Sequence, residues 1–176
     1  MAALALAMAI TATSAAAQVR NSAASPVALK AVLSNSLSVT LSGNAVNFNM
    51  VAGSANNPGS TSITATTSWV LDTTIGLVSV YAFFASSNAA LTDGAGHNIP
   101  SADFQISDNG GALNALTNTV PFGGANAGLP LSYILILGNN KGSHTDVMNF
   151  NINLSPLPAL PPGNYTGTLT IQAQAI

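Results

Sequence analysis

The sequence contains no cysteine and no glutamate, and it has very few charged residues of any kind. Charged side chains make up 5% of the 176 residues, whereas about 25% is usual for a soluble domain. Without cysteine, the chain can form no disulfide, no thiolate metal site and no cysteine nucleophile. With only three Lys+Arg, it has no basic surface that could follow a phosphate backbone, which excludes nucleic acid as a partner.

Uncharged polar residues take the place of the missing charges. The chain has 19 Ser, 16 Thr and 19 Asn. Thr favours strands, and Ser and Asn favour turns, whereas helices normally carry Glu, Lys, Arg and Gln on their solvent-exposed faces. The composition therefore predicts an all-β chain of one domain, with enough Val, Ile, Leu and Phe to form a core.

The first seventeen residues, MAALALAMAITATSAAA, are apolar and small and end in three alanines before Gln18. This pattern predicts a secretory signal peptide over residues 1–17, with a buried N-terminal strand and a membrane anchor as alternatives. The run is shorter than the ~20 residues that span a bilayer, and no later segment is longer. We therefore expect an exported, soluble mature chain that does not span the membrane.

Apolar and polar residues alternate with period two along most of the remaining chain. Strands are predicted over residues 37–41, 46–50, 63–71, 78–84, 131–137, 148–154 and 165–175. The two runs at 78–84 and 131–137 are apolar on both faces, as expected of central strands. Residues 86–128, rich in Asn, Gly and Ala, are predicted to form a long crossover or decorated loop. The pattern as a whole predicts an all-β sandwich.

The two ends of the mature chain are candidates for strand exchange. Residues 18–36 form an arm in which Val27, Leu29, Ala31 and Leu33 share one face. Such a weakly charged, alternating arm can add a strand to a neighbouring sheet. At the other end, a Greek-key sandwich whose last strand has no follower can leave a sheet edge unfilled. The arm as donor strand and the arm as the domain's own first strand both fit this pattern.

Two segments carry a family resemblance: AVNFNMVAGSANNPGSTSITATTSWVL (45–71) followed by VSVYAFF, and the tail LPPGNYTGTLTIQAQAI (160–176). The first segment has a short apolar-x-Phe stretch before a loop and a Thr-rich strand, and the tail has Gly-x-Tyr-x-x-Thr before an alternating last strand. Both features resemble the spore-coat-U-like pilins, the archaic branch of the chaperone–usher fimbriae. The resemblance implies an immunoglobulin-like Greek-key β-sandwich that lacks its seventh strand. It also implies donor-strand exchange, in which the arm of one subunit fills the groove of the next.

On this resemblance we expect a structural subunit of an extracellular pilus on a bacterial surface, with a role in cell adhesion. Its partners would be further copies of the same subunit, a periplasmic chaperone and an outer-membrane usher. The donor residues would be Val27, Leu29, Ala31 and Leu33. The candidates for the acceptor groove are Leu37, Val39, Leu41, Tyr165, Leu169 and Ile171. The alternative is a monomeric exported module that binds glycan through residues 86–128.

Two polar runs contain residue types that are used in catalysis and metal binding. Residues 143–146, SHTD, contain the three triad residue types, but neighbouring strand residues point to opposite faces, which favours a polar turn leading into a strand. Residues 93–98, DGAGHN, offer a calcium ion one carboxylate, whereas calcium sites use six to eight oxygens. We therefore predict a protein that is not an enzyme, with no metal site and no cofactor.

Four aromatic residues could form a platform for a sugar ring: Trp69, Tyr81, Tyr133 and Tyr165. All four lie on predicted strands, where packing in the core is the more common role of an aromatic side chain. We therefore expect them in the core.

Overall fold

The computed structural model describes residues 23, 25–32 and 34–176. The chain divides into two units, Met1–Val32 and Leu33–Ile176. The predicted signal peptide, the first residues of the arm and Leu33 lie outside the described residues. Residues 25–32 form no helix or strand, and Val27, Leu29 and Val32 are 80%, 92% and 74% exposed.

The second unit is built of antiparallel β-strands joined by turns and one short 3-10 helix at Ser101–Asp103. The strands are β1 (Ser36–Leu41), β2 (Asn57–Pro58), β3 (Ile63–Val70), β4 (Ile75–Phe83), β5 (Leu91–Thr92), β6 (Asn98–Ile99), β7 (Phe104–Asp108), β8 (Leu113–Ala115), β9 (Gly128–Leu137), β10 (Lys141–Ile152) and β11 (Thr170–Ala175). None of the described segments is a helix long and apolar enough to cross a membrane.

The long strands form two sheets. The larger sheet has the order β1-β3-β10-β7-β8, with β2 paired to β10, and the smaller has the order β11-β4-β9. Strands β5 and β6 pair with each other apart from both sheets. The predicted all-β sandwich is therefore confirmed, and its core lies between the inner faces of β3 and β10 and the inner face of β4.

The period-two pattern decides which side chains enter the core. On β3, Ile63, Ala65, Thr67 and Trp69 are buried while Ser62 and Ser68 are exposed, as predicted. The centre of the core is aromatic, because the ring of Phe104 lies 5.1 to 6.0 Å from three other phenylalanine rings, those of Phe48, Phe84 and Phe150. Each large side chain buried in this way stabilises the fold by about 1.5–3 kcal/mol.

The region 86–128 is more ordered than the predicted crossover or decorated loop. It contributes β5 to β8, and Ile99, Phe104, Ile106 and Leu116 are all buried in the core. The strands in this region are short and are interrupted by tight turns, such as the one with positive φ at Asn109 and Gly110. An alternation of two to five residues is too short to stand out in a sequence.

The strand predicted over residues 46–50 is not formed. Phe48 makes an isolated bridge with Gly59, and Asn47 and Ser60 bond to each other, but no ladder continues from these bonds. The predicted alternation survives in the burial, since Val46, Phe48 and Met50 are half-buried and their neighbours are exposed. The alternating burial of these side chains was therefore predicted correctly. The segment is not a strand because no neighbouring strand continues the pairing.

The run at 131–137 does form a strand, but the prediction that it is central is wrong. Strand β9 is the edge of the smaller sheet and pairs only with β4 among the described strands. On its outer face, Tyr133, Leu135 and Leu137 are 61%, 63% and 70% exposed. Tyr133 is accordingly not a core residue, whereas Trp69, Tyr81 and Tyr165 are each 8% exposed.

Candidate functional site: an open groove between two edge strands

Two edge strands from different sheets face each other without pairing. Strand β1 is bonded to β3 along Ser36–Leu41, and β11 is bonded to β4 along Thr170–Ala175. In the part of the chain that the structure describes, neither strand has a second hydrogen-bonded neighbour. Between them lies a cavity of about 280 Å³, lined by residues 37–39 and 171–173. The facing edges of β1 and β11 are therefore not hydrogen-bonded to each other, and an unpaired strand edge can accept a further strand.

A second cavity, of about 470 Å³, lies further along the same gap. One wall is the segment 43–50, with Val46, Phe48 and Met50, and the other wall is the segment 163–169. Ile171 lines both cavities, so we describe them together as the groove. The floor is made of core side chains: Ile63, Phe84, Leu91, Phe104, Met148 and Phe150.

The groove has the length and the direction that suit an extended peptide. Residue numbers rise from 37 to 50 along one wall and fall from 173 to 163 along the other, so the two walls run antiparallel. At about 3.3 Å per residue, a wall from 163 to 173 is up to roughly 35 Å long, and an extended segment such as 27–33 is roughly 23 Å long. The groove is therefore of a length comparable with that of an extended segment of seven residues.

The groove carries no formal charge. Among the described residues that line it there is no Asp, Glu, Lys, Arg or His. Its polar members, such as Asn44, Asn47, Thr166 and Thr168, are exposed on the walls, and the floor is apolar. The arrangement suits a ligand that places apolar side chains on the floor and offers backbone groups to the walls.

The 163–169 wall is held in place at one end by Tyr165. Its ring is buried, and its hydroxyl donates a hydrogen bond to the carbonyl of Pro161 at 2.9 Å. The next residue, Thr166, exchanges two backbone hydrogen bonds of 2.9 Å with Thr92 on β5. Burial, and to a smaller extent the charge of Asp93, raise the pKa of Tyr165, so its hydroxyl stays a proton donor. This wall is therefore fixed before any ligand binds.

Gly167 allows the same wall to lie close to the chain beside β5. A β-carbon at this position would collide with the carbonyl oxygen of Ala90. Only glycine permits this approach, so the wall's position depends on a residue that carries no side chain.

The DGAGHN run forms a turn that uses its own carboxylate. One oxygen of Asp93 accepts hydrogen bonds from the backbone of Ala95 and His97 at 2.8 and 3.0 Å, and the other lies 2.6 Å from Nδ1 of His97. The bond with the His97 ring is the main cause of the lowered pKa of Asp93. Both carboxylate oxygens are thus engaged within the loop. Across the described residues, no three His, Cys, Asp or Glu side chains gather into a metal-binding group.

The SHTD run places His144 and Asp146 on the inner face of β10, with Ser143 and Thr145 exposed on the other face. Asp146 is fully buried; one of its oxygens lies 3.0 Å from Nε2 of His144, and the other accepts a hydrogen bond from Ser132 at 3.2 Å. In a serine triad the imidazole stands between hydroxyl and carboxylate. Here the carboxylate of Asp146 lies between the imidazole of His144 and the hydroxyl of Ser132. In this order the imidazole does not contact the hydroxyl, so it cannot activate the serine.

The six groove candidates from the sequence all line the groove: Leu37, Val39, Leu41, Tyr165, Leu169 and Ile171. Of the arm candidates, Val27, Leu29 and Ala31 are exposed, and Leu33 lies outside the described residues. Sequence reasoning missed the wall formed by Val46, Phe48 and Met50. The alternation of these three residues with polar neighbours was visible in the sequence, but it was interpreted as a strand of the fold and not as a wall of the groove. The roles of both residue sets stay predictions.

No protein-family model matches the chain, and no curated protein matches it significantly. The resemblance to spore-coat-U-like pilins therefore rests on the motifs at 45–71 and 160–176, and the function is argued from the groove and the arm.

Proposed function

We propose that this chain is a structural subunit of an extracellular pilus that polymerises by donor-strand exchange. The arm at 27–33 of one subunit lies in the groove of the next, pairs with an edge strand of that groove, and completes an immunoglobulin-like sandwich. The observation that carries the proposal is the groove itself: two edge strands, not paired with each other, face each other above an apolar, charge-free floor.

The energetics of the arm support strand donation. Val27 and Leu29 are 80% and 92% exposed, although both are large and apolar. Transfer of each such side chain into an apolar groove contributes about 1.5–3 kcal/mol. Backbone hydrogen bonds to the groove edge add to this, because in the described part of the chain the outer edges of β1 and β11 are bonded to no other strand. The near absence of charge also limits repulsion between stacked subunits.

The same features call for protection of the free subunit. An exposed, uncharged groove bounded by unpaired strand edges is prone to aggregate. We propose that a periplasmic chaperone occupies the groove until an outer-membrane usher passes the subunit to the growing pilus. This order fits the predicted signal peptide at 1–17 and a destination on the cell surface.

The test compares two arm variants that gain the same charge on opposite faces. Leu29→Asp places the charge on the face predicted to enter the groove, and Ala28→Asp places it on the other face. Sheared surface material from cells that express each variant is run on an SDS gel with and without boiling. Strand-exchanged sandwiches unfold slowly, so wild-type polymers should persist as a ladder at room temperature and collapse to monomer on boiling.

We expect Ala28→Asp to keep the ladder and Leu29→Asp to lose it. Substitution in the groove, Ile171→Arg, should also remove the ladder, because the arginine would occupy the space of a donor side chain. A Leu29→Asp protein that still forms the ladder would overturn the proposal. So would a wild-type chain that runs as a single monomer band in both lanes.

A further inference from the structure

The outer face of the smaller sheet has one half that is covered and one half that is not. On the covered half, Tyr81 and Phe83 are 8% and 9% exposed. The ring of Phe122, from the 116–127 loop, lies 6.1 Å from the ring of Tyr81 and 5.8 Å from that of Phe83. The loop thus acts as a lid of the protein's own chain over this half.

The other half carries large apolar side chains with nothing from the described chain over them. Strand register pairs Ile75 with Leu137 and Leu77 with Leu135, and residues paired in this way share one face. Leu77 also exchanges backbone hydrogen bonds of 2.9 and 3.0 Å with Ile176. The members of this patch, which we call the apolar patch, are 61% to 76% exposed: Ile75, Tyr133, Leu135, Leu137 and Ile176.

The size of the apolar patch matches a weak interface. At ~100 Å² of exposed surface for each side chain, the patch presents roughly 500 Å². Monomeric proteins rarely expose larger contiguous apolar areas, and such areas mark interaction sites. Two copies packed on each other would bury roughly 1,000 Å² in total, which is at the lower limit for a specific interface.

We propose that a second copy of this chain covers the apolar patch, with the two smaller sheets packed face to face around a twofold axis. The patch has no charged side chain that could select a partner of opposite charge, whereas an apolar surface is complementary to itself. It extends over β4, β9 and the residue after β11, so it is a face and not only a strand edge. Packing of the two faces buries it more completely than pairing of two β9 edges would.

This contact is separate from the groove and goes beyond the proposed function. The apolar patch lies on the outer face of the smaller sheet, and the floor of the groove belongs to the core on the inner side. A dimer formed through the patch therefore leaves the groove free for an arm. In a pilus the same contact would join subunits of neighbouring filaments side by side.

The test uses lysine substitutions at three exposed strand positions. Leu135→Lys and Ile75→Lys place a charge in the apolar patch, on β9 and β4 respectively. Thr145→Lys, the matched control, places the same charge on the exposed face of β10 in the larger sheet. All three are made in the Leu29→Asp chain, which removes strand donation if the proposed function is right. Sedimentation velocity is measured from 1 to 100 μM protein.

We expect the Leu29→Asp parent and Thr145→Lys to shift from monomer to dimer as concentration rises. Both patch variants should stay monomeric, with dimer Kd raised by at least about tenfold. A parent that stays monomeric throughout overturns the inference, as does dimerisation that is unchanged by either patch variant. If Leu135→Lys abolishes dimerisation and Ile75→Lys does not, face packing is overturned and pairing of two β9 edges is indicated. A heat-sensitive ladder on the SDS gel of the Leu29→Asp parent would count against strand donation, whatever the sedimentation result.

Discussion

Strands β4 and β9 are neighbours in one sheet and are made of similar residues, yet their environments differ. Both are apolar runs without a charged residue. On the outer face of β4, Tyr81 and Phe83 are 8% and 9% exposed, whereas on the same face of β9 Leu135 and Leu137 are more than 60% exposed. The difference lies in what covers each strand. Strand β4 has a strand on both sides and a loop over part of its outer face, whereas among the residues that the structure describes β9 has one neighbouring strand and no covering loop.

The cover on β4 depends on close approach of the 116–127 loop. The loop exchanges backbone hydrogen bonds with Phe84, from Gly124 at 3.0 Å and to Ala127 at 2.9 Å. Gly123 has a φ of 75°, and a β-carbon there would lie 2.7 Å from the carbonyl oxygen of Phe84 and would collide with the ring of Phe83. The position therefore requires glycine for its conformation and for its contact.

The largest effect should come from displacing this loop. Gly123→Ala adds both backbone strain and a collision, and we expect it to lower the free energy of unfolding by at least about 3 kcal/mol. Gly138→Ala, at the end of β9, is the control, because Gly138 has a φ of 85° but open space around it. The control should lose only about 1–2 kcal/mol. Urea denaturation measures both, and equal losses would contradict the role given to the contact with β4.

The next effect separates the core face of the smaller sheet, at Val80 on β4, from its outer face, at Leu135 on β9. Val80→Ala on β4 removes buried methyl groups and should cost about 2–3 kcal/mol. Leu135→Ala on β9 removes more atoms, but from an exposed side chain, and should change stability by no more than about 0.5 kcal/mol. The same urea titrations measure both. A larger loss for Leu135→Ala, measured at a protein concentration at which the chain is monomeric, would mean that β9 is covered by a contact within the monomer.

A third variant makes the covered half resemble the uncovered one. Phe122→Ala removes the ring that lies over Tyr81 and Phe83, and we expect a loss of about 1–2 kcal/mol, since Phe122 is itself only half-buried. Exposure of two further aromatic rings should also increase the fluorescence of an added apolar dye such as ANS. Unchanged dye binding with unchanged stability would show that the loop is not a significant cover.

The smallest effect concerns the polar cluster beneath β9, where Ser132 bonds to Asp146. Burial, and then the charge of Asp146, raise the pKa of nearby Asp108. A raised pKa means that the neutral acid suits the folded state, so this stability is present below the unfolded pKa of about 4 and is lost as pH rises through the folded value. Asp108→Asn should therefore raise Tm by about 1–2 °C at pH 7.

The gain from Asp108→Asn should disappear near pH 3, where wild-type Asp108 is protonated in both states. Thermal melts at the two pH values test this, with the exposed Asp72→Asn as control. An equal gain at both pH values would assign the effect to packing and not to charge.

Particular elements show how far the sequence alone could be interpreted. The alternation of Ile63, Ala65 and Trp69 predicted both the strand and the face that is buried, because a period of two allows a single buried face. The candidates Leu37, Leu169 and Ile171 were found by the same pattern, and the structure places them along one groove. The alternation of Val46, Phe48 and Met50 was equally clear, but a strand also needs a partner, which the pattern does not reveal.

The sequence by itself determined an all-β chain, the buried face of the strands in which apolar and polar residues alternate, and the low charge that leaves the groove neutral. These properties follow from residue type and from spacing within single segments. Only the tertiary structure decided that β1 and β11 face each other unpaired, that β9 is an edge, and that Phe122 covers one half of a sheet face. Those features depend on which distant segments meet, and an apolar run has the same sequence pattern whether or not another segment packs over it.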